Sequence, residues 1–409
     1  MRLEALNLWL LLLPLLLIGI GLLNLYSIEN FPPLGWSHKF YRQLVWAGVA
    51  IVGMVIASYV EGAFWRYFAY VIYGGSIGLM ALTALIGREV NGAQAWLEIG
   101  GLRLQPSEFG KIATALALSR YLESSPNFSW RRWQDRGILS FLIVFPMGLA
   151  LLQKDAGTAL TYGAFIVPLY RYGLNGWLIV LPLILAVLAF LTLLYPWYMV
   201  AGAGVLIGLA AHWAFRRWGL TLLLMGSLVG WAWLAPQAYE HLLAPHQRRR
   251  VEVLLDPSKD PLGAGWNGMQ VRIAIEAGGL IGTGYGQGLQ SKLDFIPQRH
   301  TDFAFCGIAE EWGWMGGSVL ILLYLVLMWH LSIVAERSNT TFGLIYGYSL
   351  LGIVLIHFII NLGMIVGLLP VIGIPLPFLS YGGSAWVALA GGMGIMQRLW
   401  RERSLRLFG

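Results

Sequence analysis

Ionisable side chains stand beside long apolar runs at three places in this chain: Glu108 and Lys111 in QPSEFGK, Lys154 and Asp155 in QKDAGTAL, and His300 and Asp302 in RHTDFAF, with Glu310 and Glu311 soon after. Placing each such group in a membrane costs about 2.5–3.5 kcal/mol, so it persists mainly where it pairs or works. Taken singly, each reads as a structural ion pair or as a side chain snorkelling to the interface. Three such places on one side of a membrane point to a shared polar cavity. Glu108 and Lys111, three apart at a span start, share a helix face. The chemistry this suggests is the handling of an anionic ligand at the membrane surface, because the segment 237–314 also keeps the run QRRR at 247–250 with Lys259, Arg272, Lys292 and Arg299. A solvated loop kept out of the bilayer by its charges is the plainer reading of that run.

The elements that must position these residues are membrane helices. The chain has 409 residues, 58% hydrophobic, 13% aromatic and 11% charged, with a mean hydropathy of +0.68. That excludes a single water-soluble core and makes this a polytopic membrane protein of all-α class. The one cysteine, Cys306, excludes an intramolecular disulfide and a Cys-rich metal cluster. The apolar N-terminal run follows Met1-Arg2 without a small-x-small cleavage site and reads as an uncleaved first span. Apolar stretches near 7–27, 44–60, 66–87, 137–153, 175–195, 197–215, 219–236, 315–335 and 342–366, with weaker ones near 107–123, 157–173 and 384–399, give about twelve spans. Arg131, Arg132 and Arg136 fall in one short loop, Arg216 and Arg217 in another, and Arg398, Arg401, Arg403 and Arg406 in the tail. These share a side with the N-terminus, which predicts both termini cytoplasmic. The outer face then receives 88–106, the long loop 237–314 and the Pro/Gly-rich 367–383.

Other strings carry less chemistry. GTGYGQG at 282–288 lacks the strand a nucleotide loop needs and reads as a flexible outer loop. His241 and His246 are spaced wrongly for one helix face and no metal cage completes them. In SYGGSAW at 380–386, Tyr381 and Trp386 read as interface anchors. Nothing points to nucleic acid.

Five segments together carry a resemblance: NGAQAWLEIGGLRLQPSEFGKIA (91–113), QKDAGTAL (153–160), DPLGAGWNGMQVRIAIEAGGLIGTGYGQG (260–288), FIPQRHTDFAFCGIAEEWG (295–313) and GIPLPFLSYGGSAW (373–386). In this order the chain resembles the SEDS family, the RodA and FtsW proteins of bacterial cell-wall synthesis. It departs from the family where Pro297-Gln298-Arg299-His300 replaces an acidic residue after the proline, and where Lys154 stands in Gln153-Lys154-Asp155. The family core has about ten spans, so the pair 197–215 and 219–236 reads as an inserted hairpin within a single membrane domain, 1–409. Its small-residue runs VAGAGVLIGLAA and GSLVG permit close packing, and without charge outside the turn it is expected to be peripheral to the cavity.

The resemblance implies a peptidoglycan glycosyltransferase that polymerises lipid II on the outer face of the bacterial cytoplasmic membrane, in cell-wall elongation and cell shape, with a class B penicillin-binding protein and the elongation machinery as partners. The substrate then sets the chemistry: a sugar hydroxyl attacks, a lipid pyrophosphate leaves, and the site needs a carboxylate for the proton and cations or metal for the leaving charge. The resemblance places the catalytic aspartate at Asp302. Lys111, Arg272, Lys292 and Arg299 are unranked candidates for the pyrophosphate, and Glu108, Lys154, Asp155 and Ser380 further substrate-binding candidates. His300 is read as orienting Asp302, touching phosphate or standing at a helix start, with Thr301 the better cap. A divalent cation, Mg or Mn, is expected, at a site the sequence does not locate. A flippase for the same lipid and a division-type, FtsW-like polymerase are the alternatives; the short tail after the last span favours the RodA-like reading.

Overall fold

The structure, a computed structural model, describes residues 6–29, 38–90, 92–99, 102–216, 218–241, 245–256, 264–293, 295–296 and 298–407. Arg217, Lys259, 260–263 and Pro297 lie outside these, as do the side chains of His246 and Arg406. In chain order the elements are α1 (Leu8–Glu29), α2 (His38–Tyr59), α3 (Gly62–Ile86), β1 (Arg88–Val90), β2 (Ala93–Ile99), β3 (Leu102–Leu104), α4 (Pro106–Ser124), α5 (Trp133–Leu152), α6 (Ala156–Thr161), a 3-10 turn (Tyr162–Phe165), α7 (Ile166–Arg171), α8 (Trp177–Leu194), α9 (Trp197–Phe215), α10 (Trp218–His241), α11 (Pro245–Leu255), α12 (Ala264–Gly278), α13 (Leu289–Lys292), α14 (Ala304–Glu336), α15 (Thr341–Ile365) and α16 (Gly383–Leu407).

Each apolar stretch read from the sequence coincides with helix; the stretch 157–173 is broken into α6, the 3-10 turn and α7. Among the described residues seven helices, α1, α2, α3, α5, α8, α14 and α15, are long and apolar enough to cross a membrane. α4 is not among them because its apolar run is interrupted by Glu108, Lys111, Arg120 and Glu123, the first two fully inside the protein.

The expectation of an all-α fold is corrected at the segment 88–106. That segment forms a three-stranded antiparallel sheet in the order β1-β2-β3. Alternation in Ala93–Ile99 turns Ala95 and Leu97 inward, while Glu98 faces water and accepts a hydrogen bond from Arg88 that holds its carboxyl below the usual range. Gln94 N–H donates to Gln153 O at 2.8 Å, tying β2 to the end of α5.

α14 is broken at Gly313, whose φ of 66° and ψ of −165° fall in a region essentially open only to glycine. The turn 279–284, which runs into the GTGYGQG segment, closes that break. Thr283 and Gly284 N–H donate to Glu310 O and Glu311 O, both at 3.0 Å, and Trp314 and Met315 N–H donate to Gly279 O and Leu280 O at 2.8 and 3.1 Å. The expectation of a flexible loop is therefore corrected. Its glycines at positive φ (Gly282, Gly284 and Gly286) let the backbone turn tightly enough to meet orphaned helical groups.

The chain divides into two compact units, Met1–Gly173 with Asn267–Gly409, and Leu174–Trp266. In the first, α16 packs along α2, α3 along α4, and α15 against α4 and α14. The second contains α8 to α11. Leu188, Val200, Ala201 and Ala232 form its core, Gly204 admits Leu228 and Gly208 admits Met225 between α9 and α10, and Trp231 Nε1–H donates to Leu185 O at 2.8 Å.

Candidate functional site

The loop 366–382, which links α15 to α16, is shaped by side chains from neighbouring helices. One face of α15 supplies three of them. Met364 Sδ accepts from Ile372 N–H at 3.0 Å, Asn361 Nδ2 donates to Ile374 O at 2.7 Å, and His357 Nδ1 lies 2.9 Å from Pro375 O. Spacings of three and four place these residues one above another. Tyr324 of α14 donates its hydroxyl to Pro377 O at 2.6 Å, and Ser380 Oγ accepts from Leu376 N–H at 2.9 Å. Phe378 is fully buried at a φ of 63°, a conformation that persists only where the surroundings over-determine it.

Asp302 is held to this loop from the other side. Asn361 Nδ2 also donates to Asp302 O at 2.8 Å, so one amide brackets residues 302 and 374. Tyr381 N–H donates to His300 O at 2.8 Å. Gly373, at a φ of 84°, presents its backbone to the Asp302 carboxylate: a Cβ there would lie 3.3 Å from Oδ2. Asp302 is partly exposed, in a turn where Thr301 and Phe303 N–H both donate to Gln298 O. Phe303 is the N-cap of α14 and Thr301 Oγ1 bonds Gln298 instead, so the assignment of Thr301 as cap is corrected.

The other two motifs reach the same loop. Asp155 is the N-cap of α6, accepting from Thr158 N–H at 2.9 Å and Thr158 Oγ1–H at 2.7 Å, and from Gln105 Nε2–H at 3.0 Å. Gly157 abuts Ile372 O and Ile374. Gln105 N–H donates to Ser384 Oγ at 3.0 Å, which joins the start of α4 to the start of α16. Lys111, only 1% exposed, donates to Glu108 Oε1 at 2.9 Å and to His357 Nε2 at 2.8 Å. Glu108 and Lys111 are thus a buried pair linked through His357 to Pro375.

The remaining candidates have other surroundings. Lys154 is exposed at a φ of 58° beside the Asp155 cap, and Lys292 donates to Gly286 O, bracing the glycine-rich turn. Arg272 is exposed on α12 with its guanidinium against Gly367, just past the end of α15. Arg299 is buried; the His300 ring stands edge-on to Tyr381, whose phenol burial pushes up, and its Nδ1 is 3.9 Å from Glu29 Oε1. Ser380 turns its hydroxyl into the loop backbone. Glu310 caps α13, accepting from Gln290 and Ser291 N–H at 2.8 and 2.9 Å, and Glu311 accepts from Ser27 Oγ. Trp386, expected at the membrane interface, is 1% exposed and belongs to the core of α16. In the loop 366–382, Leu368 is exposed, whereas Leu369 and Ile372 pack on Ile360, Met364 and Ile374. Sequence reasoning that looked for charge missed His357, Asn361 and Met364; polar side chains one turn apart inside the run 342–366 were the available signal. Among the described residues no three His, Cys, Asp or Glu side chains gather to hold a metal.

A family model described as a cell cycle protein, FtsW/RodA/SpoVE, matches residues 7–202 and 199–405. The peptidoglycan glycosyltransferase RodA of Treponema pallidum is 34% identical over 418 residues, covering 93% of this chain and 94% of its own. The peptidoglycan glycosyltransferase MrdB of Escherichia coli is 32% identical over 367 residues, 89% of this chain and 86% of its own. A solved structure described as structural coordination of polymerization and crosslinking by a peptidoglycan synthase complex matches with a TM-score of 0.71 at 30% identity, over 97% of this chain and 98% of the other. The rod shape determining protein RodA of Thermus thermophilus matches with a TM-score of 0.63 at 25% identity over 97% of each chain.

Proposed function

We infer the reaction from one premise: this chain belongs to the FtsW/RodA/SpoVE family. It is a peptidoglycan glycosyltransferase, and its work is to link lipid II disaccharides into glycan strands for cell-wall elongation. Asp302 is the general base. Its carboxylate accepts the proton of the attacking sugar hydroxyl as the new glycosidic bond forms at the anomeric carbon; the bond from that carbon to the pyrophosphate oxygen breaks, and polyprenyl pyrophosphate leaves with the electron pair. The observation that carries this is the convergence on one loop of the segments bearing Asp302, Asp155 and the Glu108–Lys111 pair, with the Asp302 carboxylate against the backbone of Gly373.

The leaving charge calls for cations, and the exposed Lys154 and Arg272 are better placed to meet an incoming pyrophosphate than Lys111, whose ammonium is occupied by Glu108 and His357. A divalent cation, Mg or Mn, would take its ligands chiefly from the pyrophosphate, because the described residues do not fit a protein cage. No bond made or broken in the transfer is assigned to it. The reading further places the protein in the bacterial cytoplasmic membrane with about twelve crossings, both termini inside and Asp302 outside. A class B penicillin-binding protein is its partner, in keeping with the neighbour that couples polymerization to crosslinking.

The test is purified protein given lipid II in detergent, where no membrane remains to flip across. Glycan chains are expected from the parent and none from Asp302→Asn or Asp302→Ala at unchanged thermal stability. Polymer from either variant removes Asp302 from the mechanism. In the same assay excess chelator is expected to suppress synthesis, and undiminished activity would sink the cation.

A further inference from the structure

His357 is a buried titratable group to which glycosyl transfer by Asp302 gives no task. It is 2% exposed in α15, with Nε2 2.8 Å from Lys111 Nζ and Nδ1 2.9 Å from Pro375 O. An ammonium only donates and a carbonyl only accepts, so both contacts are satisfied by a single state of the ring: neutral, with its proton on Nδ1. Loss of Lys111 would release that choice of tautomer, and the other tautomer would set a lone pair against the Pro375 carbonyl.

Pro375 lies two residues after Gly373, whose backbone faces the Asp302 carboxylate, and three before Phe378, which sits at positive φ. A loop that turns at Gly373 before this carbonyl and stores strain at Phe378 after it depends on the groups that over-determine it. Asn361, one turn further along the same face of α15, fixes Ile374 O and Asp302 O together. The ring and the amide therefore hold consecutive carbonyls of the loop, and one of them reaches Asp302 directly.

We propose that His357 is a positioning residue for glycosyl transfer: through its bond to Pro375 O it sets the backbone that faces Asp302, and the Glu108–Lys111 pair acts on the site by fixing the ring's tautomer. This rests on Asp302 as the base. It also gives the buried pair a role that needs no contact with substrate.

The experiment measures initial polymerisation rates against lipid II concentration, with thermal unfolding in detergent, for His357→Ala, His357→Asn and His357→Gln. Asn can keep the donor to Pro375 O, whereas Gln can keep the acceptor for Lys111 but reaches past the carbonyl. His357→Ala is expected to lower kcat about tenfold or more, the worth of one lost hydrogen bond, with KM within about twofold. His357→Asn is expected to recover most of that loss and His357→Gln little of it. A kcat for His357→Ala near that of the parent, a loss confined to KM, or equal activity in the Asn and Gln variants each overturns the proposal. If His357→Ala does not survive purification, the Asn and Gln variants decide alone, and failure of both to fold also overturns it by making the residue structural. Asp302→Asn in the same assay keeps the two readings apart: polymer from that variant removes the base, whatever the His357 series shows.

Discussion

Gly373 decides how closely the loop approaches Asp302. Its φ of 84° suits glycine, and a Cβ would stand 3.3 Å from Oδ2, closer than most real contacts of that kind. An alanine there meets two costs, about 1–2 kcal/mol for a left-handed backbone and displacement of either the loop or the carboxylate. Gly373→Ala is therefore expected to reduce turnover about tenfold or more while leaving the helices folded. Turnover unchanged from the parent would mean that the loop stands away from Asp302 when the reaction occurs. At this scale Asp302, Asp155 and the Glu108–Lys111 pair were legible as candidates, because charge beside apolar sequence is conspicuous. Their organisation was not. It is made by the neutral donors Asn361, His357 and Gln105, and by the sulfur of Met364, and each of these is an ordinary residue until its partner's position is known.

Among the elements, α14 shows what hydrophobic pattern alone leaves out. The apolar run 315–335 marked the membrane-crossing part, but the helix starts at Ala304 and breaks at Gly313, before that run begins. A break leaves carbonyls and N–H groups without intrahelical partners, and the turn 279–284 takes four of them. The two features specify each other, which is why neither was readable separately. The sheet β1-β2-β3 was missed for a related reason: its strands are short and, among the described residues, pair only with one another. Gly313→Ala forces a side chain into a glycine-only region and into the backbone of Leu280 and Gly282. A cost of about 1–3 kcal/mol for the conformation alone is expected, read as a lower thermal midpoint in detergent. Gly148 of α5 provides the control, since a Cβ there meets nothing within 4 Å and Gly148→Ala should be neutral or slightly stabilising. Equal midpoints for the two variants would show that the break is not held as described.

For the whole molecule, the question is how much of the chain the reaction uses. The segments bearing Asp302, Asp155 and the Glu108–Lys111 pair all lie in the unit Met1–Gly173 with Asn267–Gly409, while Leu174–Trp266 packs around its own small core. The family model is matched in two pieces, 7–202 and 199–405, which overlap near the start of α9, and the second piece includes α10. The hairpin α9–α10 is closed by Arg216 at a φ of 48°, whose N–H returns to His212 O at 2.7 Å, and it is packed through Gly204 and Gly208. A helical pair that enters and leaves on one side of a membrane can be removed without inverting the helices after it. Deleting 197–236 as a unit, with 237–314 left on its original side, is thus expected to give an inserted protein that still polymerises lipid II in detergent, within about threefold of the parent when the proposed partner, a class B penicillin-binding protein, is supplied to both. Thermal unfolding and a protease-protection map of the termini check insertion independently of activity. A correctly inserted deletion variant without polymerase activity would place the hairpin in the catalytic core, and the division of the chain into a family core with a peripheral pair would have to be redrawn.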